Sequence, residues 1–124
     1  MKLEREYRNL KVTLEAEWIG DDLVATIYGG DSPHVGGISV ATLSQSKHRG
    51  VPTVSVSTIS VPGHKEYVLS NPLAERICRE LRCTVTLILG IHVDDATSKD
   101  ISAVSSLAEE LITEMLSDMI GRPN

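Results

Sequence analysis

The stretch "CTVTLILGI", residues 83–91, decides how this chain folds. Leu87, Ile88 and Leu89 follow one another without a polar residue between them, so both faces of a strand here need cover, and the strand belongs at the centre of a sheet. The next residues, "HVDDAT" (92–97), turn abruptly polar. A chain that ends a buried strand with His92, Asp94 and Asp95 is making a surface turn, a metal site or the floor of a ligand pocket.

Working outward, residues 10–18 alternate, with Leu10, Val12, Leu14, Ala16 and Trp18 opposite Lys11, Thr13, Glu15 and Glu17, as a half-exposed antiparallel strand requires. "GDD" at 20–22 is a tight turn into a second strand, Leu23 to Tyr28, and the pair is a hairpin. "GGDSPHVGG" (29–37) has too many glycines for regular structure, and Ile38–Leu43 makes a third strand. The polar loop "SQSKHRG" leads to a fourth, Pro52–Val61, whose apolar phase shifts from Val54 and Val56 to Ile59 and Val61; a bulge near Thr58 would produce that shift. Asn71-Pro72 has the form of an N-cap followed by proline at the first helical position, which predicts a helix to about Leu81 that buries Leu73, Ile77 and Leu81. Glu75–Arg79 and Arg76–Glu80 are i,i+4 pairs on its other side.

"TSKD" at 97–100 has capping-box form and opens a long amphipathic helix with Ile101, Val104, Ala108, Leu111, Met115 and Met119 on one face. Leu107, Ile112 and Leu116 widen that face beyond what one sheet should need, which predicts a second contact, another subunit. The order is β-β-β-β-α-β-α, an α+β fold with a mainly antiparallel sheet packed with two helices, and residues 1–124 are expected to form a single domain.

Composition bounds the function. A chain of 124 residues, 41% hydrophobic, suffices for one core. Its net charge of −5 and lack of a Lys/Arg-rich block argue against a nucleic-acid or anionic-membrane partner. No apolar run approaches the roughly 20 residues of a membrane span, and "MKLEREYRNL" does not read as a signal peptide, so a cytoplasmic location is expected. The spacing of Cys78 and Cys83 fits neither a disulfide framework nor a CxxC motif, which predicts free thiols. With no Phe and one Trp, the core is aliphatic.

Strand direction brings the polar motifs together. If the first four strands form an up-and-down meander, the second and fourth end at the same edge of the sheet. The first helix returns the chain, so the fifth strand also ends there. That edge then carries "GGDSPHVGG", "PGHKE" and "GIHVDDAT", each with a glycine near a histidine. Taken singly, the glycines serve tight turns and Asp94, Asp95 and Thr97 serve as turn and cap residues. A meander has no structural need for three such turns in one place. In a metal form, His34, His64 and His92 with Asp31 or Asp94 would ligate a divalent ion, although no HxH or HxxxH spacing marks it. In an anion form, backbone N–H groups of the glycine-rich turns, the N-terminus of the last helix and Lys65 would hold a phosphate. Asp94 and Asp95 would repel that phosphate unless a cation or a protonated histidine intervenes, so the two forms are compatible. Ser32, Ser39 and Thr97 are available hydroxyls, but no nucleophile elbow or P-loop accompanies them, and no catalytic residue is assigned.

"GGDSPHVGGISVA" (29–41), "PGHKEYVLSNPLAERI" (62–77) and "GIHVDDATSKDI" (90–101) resemble the small accessory D subunit of gallate-type hydroxyarylate decarboxylases, a prenylated-flavin chaperone family with a fold like that of proteasome-assembly chaperones. The resemblance implies a non-catalytic role: binding prenylated flavin mononucleotide, or its FMN parent, for loading or maturation of a UbiD-type decarboxylase, as a homodimer. It implies Gly29, Gly30, Gly36 and Gly63 for close backbone approach, His64 and Lys65 for the phosphate, and Asp31, His34, His92 and Asp94 for polar contacts or a divalent ion. Two other functions stay open on the residues alone, an assembly chaperone that binds no flavin and a small metal-dependent hydrolase.

Overall fold

A computed structural model describes residues 1–45, 50–64 and 66–120 of the chain, so His48 and most of its loop, Lys65 and residues 121–124 lie outside the description. The described elements run β1 (Lys2–Tyr7), β2 (Leu10–Ile19), β3 (Asp22–Gly30), β4 (Gly37–Gln45), β5 (Pro52–Ser60), α1 (Tyr67–Leu81), β6 (Val85–His92) and α2 (Ser98–Ile120). They form an α+β structure with a six-stranded sheet in the order β1-β2-β3-β6-β4-β5. β3 and β6 are parallel and every other neighbouring pair is antiparallel.

The apolar run of β6 does take the centre, and this breaks the expected meander. β3 and β4 are not neighbours, because β6 lies between them with both edges paired. Only there can the backbone N–H and C=O groups of so apolar a strand all find partners away from water. Val85, Leu87 and Leu89 point to the helices and are at most 2% exposed, while the Thr86 and Ile88 side is half-buried. At roughly 1.5–3 kcal/mol for each large aliphatic side chain fully buried, this strand is a leading contributor to the core.

β1 is a sixth strand that the sequence reading missed, because "KLEREY" carries only Leu3 and Tyr7 as apolar residues. It forms against the outer edge of β2 in register from Lys2↔Glu15 to Tyr7↔Leu10. Leu3 reaches the core, Arg5 is paired with Glu114 of α2, and the Tyr7 hydroxyl lies 3.5 Å from Asp100. The bulge expected near Thr58 is absent, since β4 and β5 keep one continuous register from Gly37↔Ser60 to Gln45↔Pro52. The apolar phase shift has another origin: Val54 and Val56 face the core, whereas Ile59 lies on the uncovered face and is 65% exposed.

Both helices pack on the same face of the sheet, α1 over β4, β5 and β6, and α2 over β1 and β2. α1 starts five residues earlier than the Asn71-Pro72 signal predicts. The Glu66 carbonyl already accepts from the N–H groups of Leu69 and Ser70, and Pro72 sits inside the helix as its sixth residue. Asn71 is not a cap; its side-chain oxygen accepts from the hydroxyls of Ser39 (2.5 Å) and Thr58 (2.7 Å), fastening α1 to the sheet. The i,i+4 pairs Arg79–Glu75 and Arg76–Glu80 form as expected, at 2.8 and 3.1 Å. So does the capping box of α2, with reciprocal 3.1 Å bonds between Thr97 and Asp100. Of the residues that widen the apolar face of α2, Ile112 and Leu116 are buried within this chain and Leu107 is half-buried against the core. No helix among the described residues is long and apolar enough to cross a membrane.

Cys78 and Cys83 are free thiols. Burial, with the nearby Asp22 carboxylate as a lesser cause, pushes Cys83 up to about 11, and burial also raises Cys78. The thiolate is the reactive form, so neither cysteine should be alkylated in the native protein between pH 7 and 8, while both should react at once in denaturant. Mass spectrometry after brief iodoacetamide treatment reads this directly, and native labelling of Cys83 at pH 7.5 would contradict it.

Candidate functional site

β6 runs parallel to β3, and β5 is antiparallel to β4, which is antiparallel to β6. β3, β5 and β6 therefore end at one rim, where the loops after β3 and β5 carry His34 and His64 and β6 itself ends on His92. The loop after β3 is laid across the end of β6. The N–H groups of Asp31, His34 and Gly36 donate to the carbonyls of His92, Gly90 and Leu89, at 2.6, 3.5 and 3.1 Å. This crossing explains Gly90, where a Cβ would sit 1.5 Å from the His34 carbonyl oxygen. Gly29 and Gly30 are also crowded, Gly29 by the Lys11 backbone of β2 and Gly30 by the His92 backbone. Gly63 instead has φ +85° with open space around it.

The three histidines meet. The rings of His34 and His64 are 4.4 Å apart between centroids, and those of His34 and His92 are 6.5 Å apart. The residue that organises the first pair is Glu66, which the sequence reading passed over. Its Oε1 lies 2.5 Å from Nε2 of His34 and 3.4 Å from Nδ1 of His64. Glu66 is the N-cap residue of α1 but makes no side-chain cap bond, so its carboxylate is free to turn into the rim. Gly36 makes room for it, since a Cβ there would lie 2.4 Å from the carboxyl carbon. The other oxygen, Oε2, is buried and has no hydrogen-bond partner. The signal that could have exposed Glu66 was an acid at the mouth of a helix inside the "PGHKE" motif.

His34 donates from Nδ1 to the Ser32 carbonyl at 3.0 Å and from Nε2 to Glu66, so both ring nitrogens face acceptors. The Ser32 carbonyl, helped by Glu66 and opposed by burial, raises its pKa above the ordinary histidine value. His92 takes a different partner: its Nε2 lies 3.0 Å from Asp94, whose N–H donates to the Asp31 carboxylate at 2.8 Å. The metal set expected from sequence is thus divided. His34, His64 and Glu66 hold donor atoms within 4.8 Å of one another, and His92, Asp94 and Asp31 form a separate hydrogen-bonded turn.

Beside the rim opens a cavity of about 530 Å³, within the range of small-molecule pockets. Leu89, Ile91 and His92 of β6 form one side, Val68 and Leu69 of α1 another, and Ile101, Val104 and Ser105 of α2 a third; Gly63, His64 and Glu66 stand at the rim. Both helices begin at this end, where partial positive charge gathers, and α1 has no side chain capping its first N–H groups. The arrangement offers an apolar slot with a polar mouth.

Residues 6–120 match the family described as the prenylated flavin chaperone LpdD-like domain. The chain is similar to the protein LpdD of Lactiplantibacillus plantarum, with 32% identity over 105 residues that cover 85% of this chain and 74% of that protein.

The Gly36→Ala variant should keep the fold, because the clash is with the movable end of Glu66, but the carboxylate should leave His34. The His34 pKa then falls part of the way toward the ordinary value, with the Ser32 bond retained. Because the folded value lies above the unfolded one, the stabilisation from the imidazolium is fully present below about pH 6.5 and is lost as pH rises through the folded value. Alanine at 36 should shrink that loss. NMR titration of the imidazole in chelator-treated protein checks this; an unmoved titration would remove Glu66 from its role.

Proposed function

This chain belongs to the prenylated flavin chaperone LpdD-like family, and from that premise we propose that it binds prenylated flavin mononucleotide without turning it over and delivers it to a UbiD-type decarboxylase. The observation that carries this is the pairing of an apolar cavity with a mouth at which two helices begin. A flavin mononucleotide has the matching division, an extended apolar ring system and a phosphate. Leu69, Ile91, Ile101 and Val104 would enclose the rings, and His64 with the uncapped start of α1 would meet the phosphate. When bound, the group supplies the electron sink that a decarboxylase needs; this chain's residues orient it and exclude water.

His34, Gly36 and Glu66 shape the mouth in this proposal, and Asp31, His92 and Asp94 hold its far wall. Gly29 acts through its close fit against the backbone of β2 and Gly30 through its fit against that of His92, and neither is assigned a ligand contact. The proposal keeps the cytoplasmic location, for which free thiols are the supporting feature. It also keeps a homodimer, for which the last helix or a sheet edge was the expected contact, and places that contact on the uncovered sheet face, where exposed Ile59 lies opposite Ile38.

Anaerobic titration with reduced prenylated flavin mononucleotide should show one molecule bound per chain. Ile101 lines the cavity yet is 60% exposed, so Ile101→Asp should leave the melting temperature unchanged while weakening binding about tenfold or more. Full affinity in that variant, or no binding by the native protein, sinks the proposal. Separately, light scattering should report a dimer for the native chain and a monomer for Ile59→Lys.

A further inference from the structure

We propose that His34, His64 and Glu66 form a binding site for one first-row divalent transition-metal ion, zinc being the representative. Three observations meet there. The donor atoms of the three residues, two imidazole nitrogens and a carboxylate oxygen, come within 4.8 Å of one another although they arise from two different loops. Glu66 has a buried oxygen that no protein group satisfies, on a side chain only 13% exposed. His34 is oriented from behind: its Nδ1–H is held by the Ser32 carbonyl, which fixes the ring and directs Nε2 at the cluster. A backbone carbonyl behind an imidazole is the usual support of a metal-bound histidine.

A proton shared between His34 and Glu66 accounts for one short contact. It accounts neither for the approach of His64 to the same oxygen nor for the solitary Oε2. A cation placed among the three donors answers both. Two nitrogens and one carboxylate favour zinc, cobalt or iron(II) over magnesium or calcium, which prefer oxygen donors throughout. His64 and Glu66 also line the cavity, so the coordination positions left open face it. The site needs no bound flavin, and its test uses the metal alone.

Chelator-stripped full-length protein titrated calorimetrically with zinc should bind one ion per chain and gain thermal stability in proportion to the free ion. Cobalt(II) in its place should give visible absorption typical of four or five ligands. His64 is 37% exposed and its loss leaves the His34–Glu66 pair intact, so His64→Ala should fold normally and bind zinc about tenfold or more weakly. Glu66→Gln should do the same, and His92→Ala should bind as the native protein does. No binding by the native chain, binding that persists in both His64→Ala and Glu66→Gln, or loss of binding in His92→Ala would overturn the site. The flavin titration of the metal-free protein stands apart from all of these outcomes.

Discussion

The pairing of β6 on both edges, parallel to β3 and antiparallel to β4, is the constraint on which the rest of the structure depends. It places the most apolar strand where its main chain can be satisfied and its Leu87 and Leu89 side chains can meet both helices. It also sets where the strands end. Because β3, β5 and β6 share a direction, their following loops are committed to one rim before any side chain there is considered. The site is therefore a consequence of the sheet, and a slip of β6 by one residue would turn its buried side chains to the open face and dissolve core and rim together.

At the rim, rigidity comes from backbone more than from side chains. The loop after β3 is stitched to the end of β6 by main-chain hydrogen bonds, and Gly90 allows the two backbones to cross. Over that crossing Glu66 gives up the role its position invites. A carboxylate at a helix N-terminus is stabilising when it lies near the first N–H groups. Here the carboxylate turns to His34 and His64, leaving the start of α1 without a side-chain cap. Stability given up at the helix end is exchanged for charge placed at the cavity mouth, a local inconsistency of the kind found at functional sites.

Much of this was legible from the residues. Strict alternation marked β2, the Gly20 turn marked the hairpin, and Thr97-x-x-Asp100 marked the start of α2 because each signal is local and its physics acts over a few residues. Strand direction follows from counting reversals, so the gathering of His34, His64 and His92 could be read without knowing which strands touch. What could not be read was non-local. β1 is polar and exists because β2 offers an unpaired edge and α2 offers Glu114 and Asp100. The insertion of β6 depends on competition between edges far apart in the chain. Asn71-Pro72 mimicked a helix start because Asn71 serves a tertiary bond to Ser39 and Thr58, and proline is tolerated early in a helix. Lys65, expected at the phosphate, lies outside the described residues.

The late position of the central strand shapes how the chain is born. On a ribosome, β3 and β4 emerge well before β6, and until residue 92 clears the exit tunnel the two halves of the sheet each show a bare, apolar inner edge. The closing step joins segments separated by more than sixty positions, as in Leu23↔Val85, and such long-range pairing is slow relative to hairpin formation. Nascent chains are thus most prone to clump in the interval between completion of the β4–β5 hairpin and arrival of the strand that fills the gap.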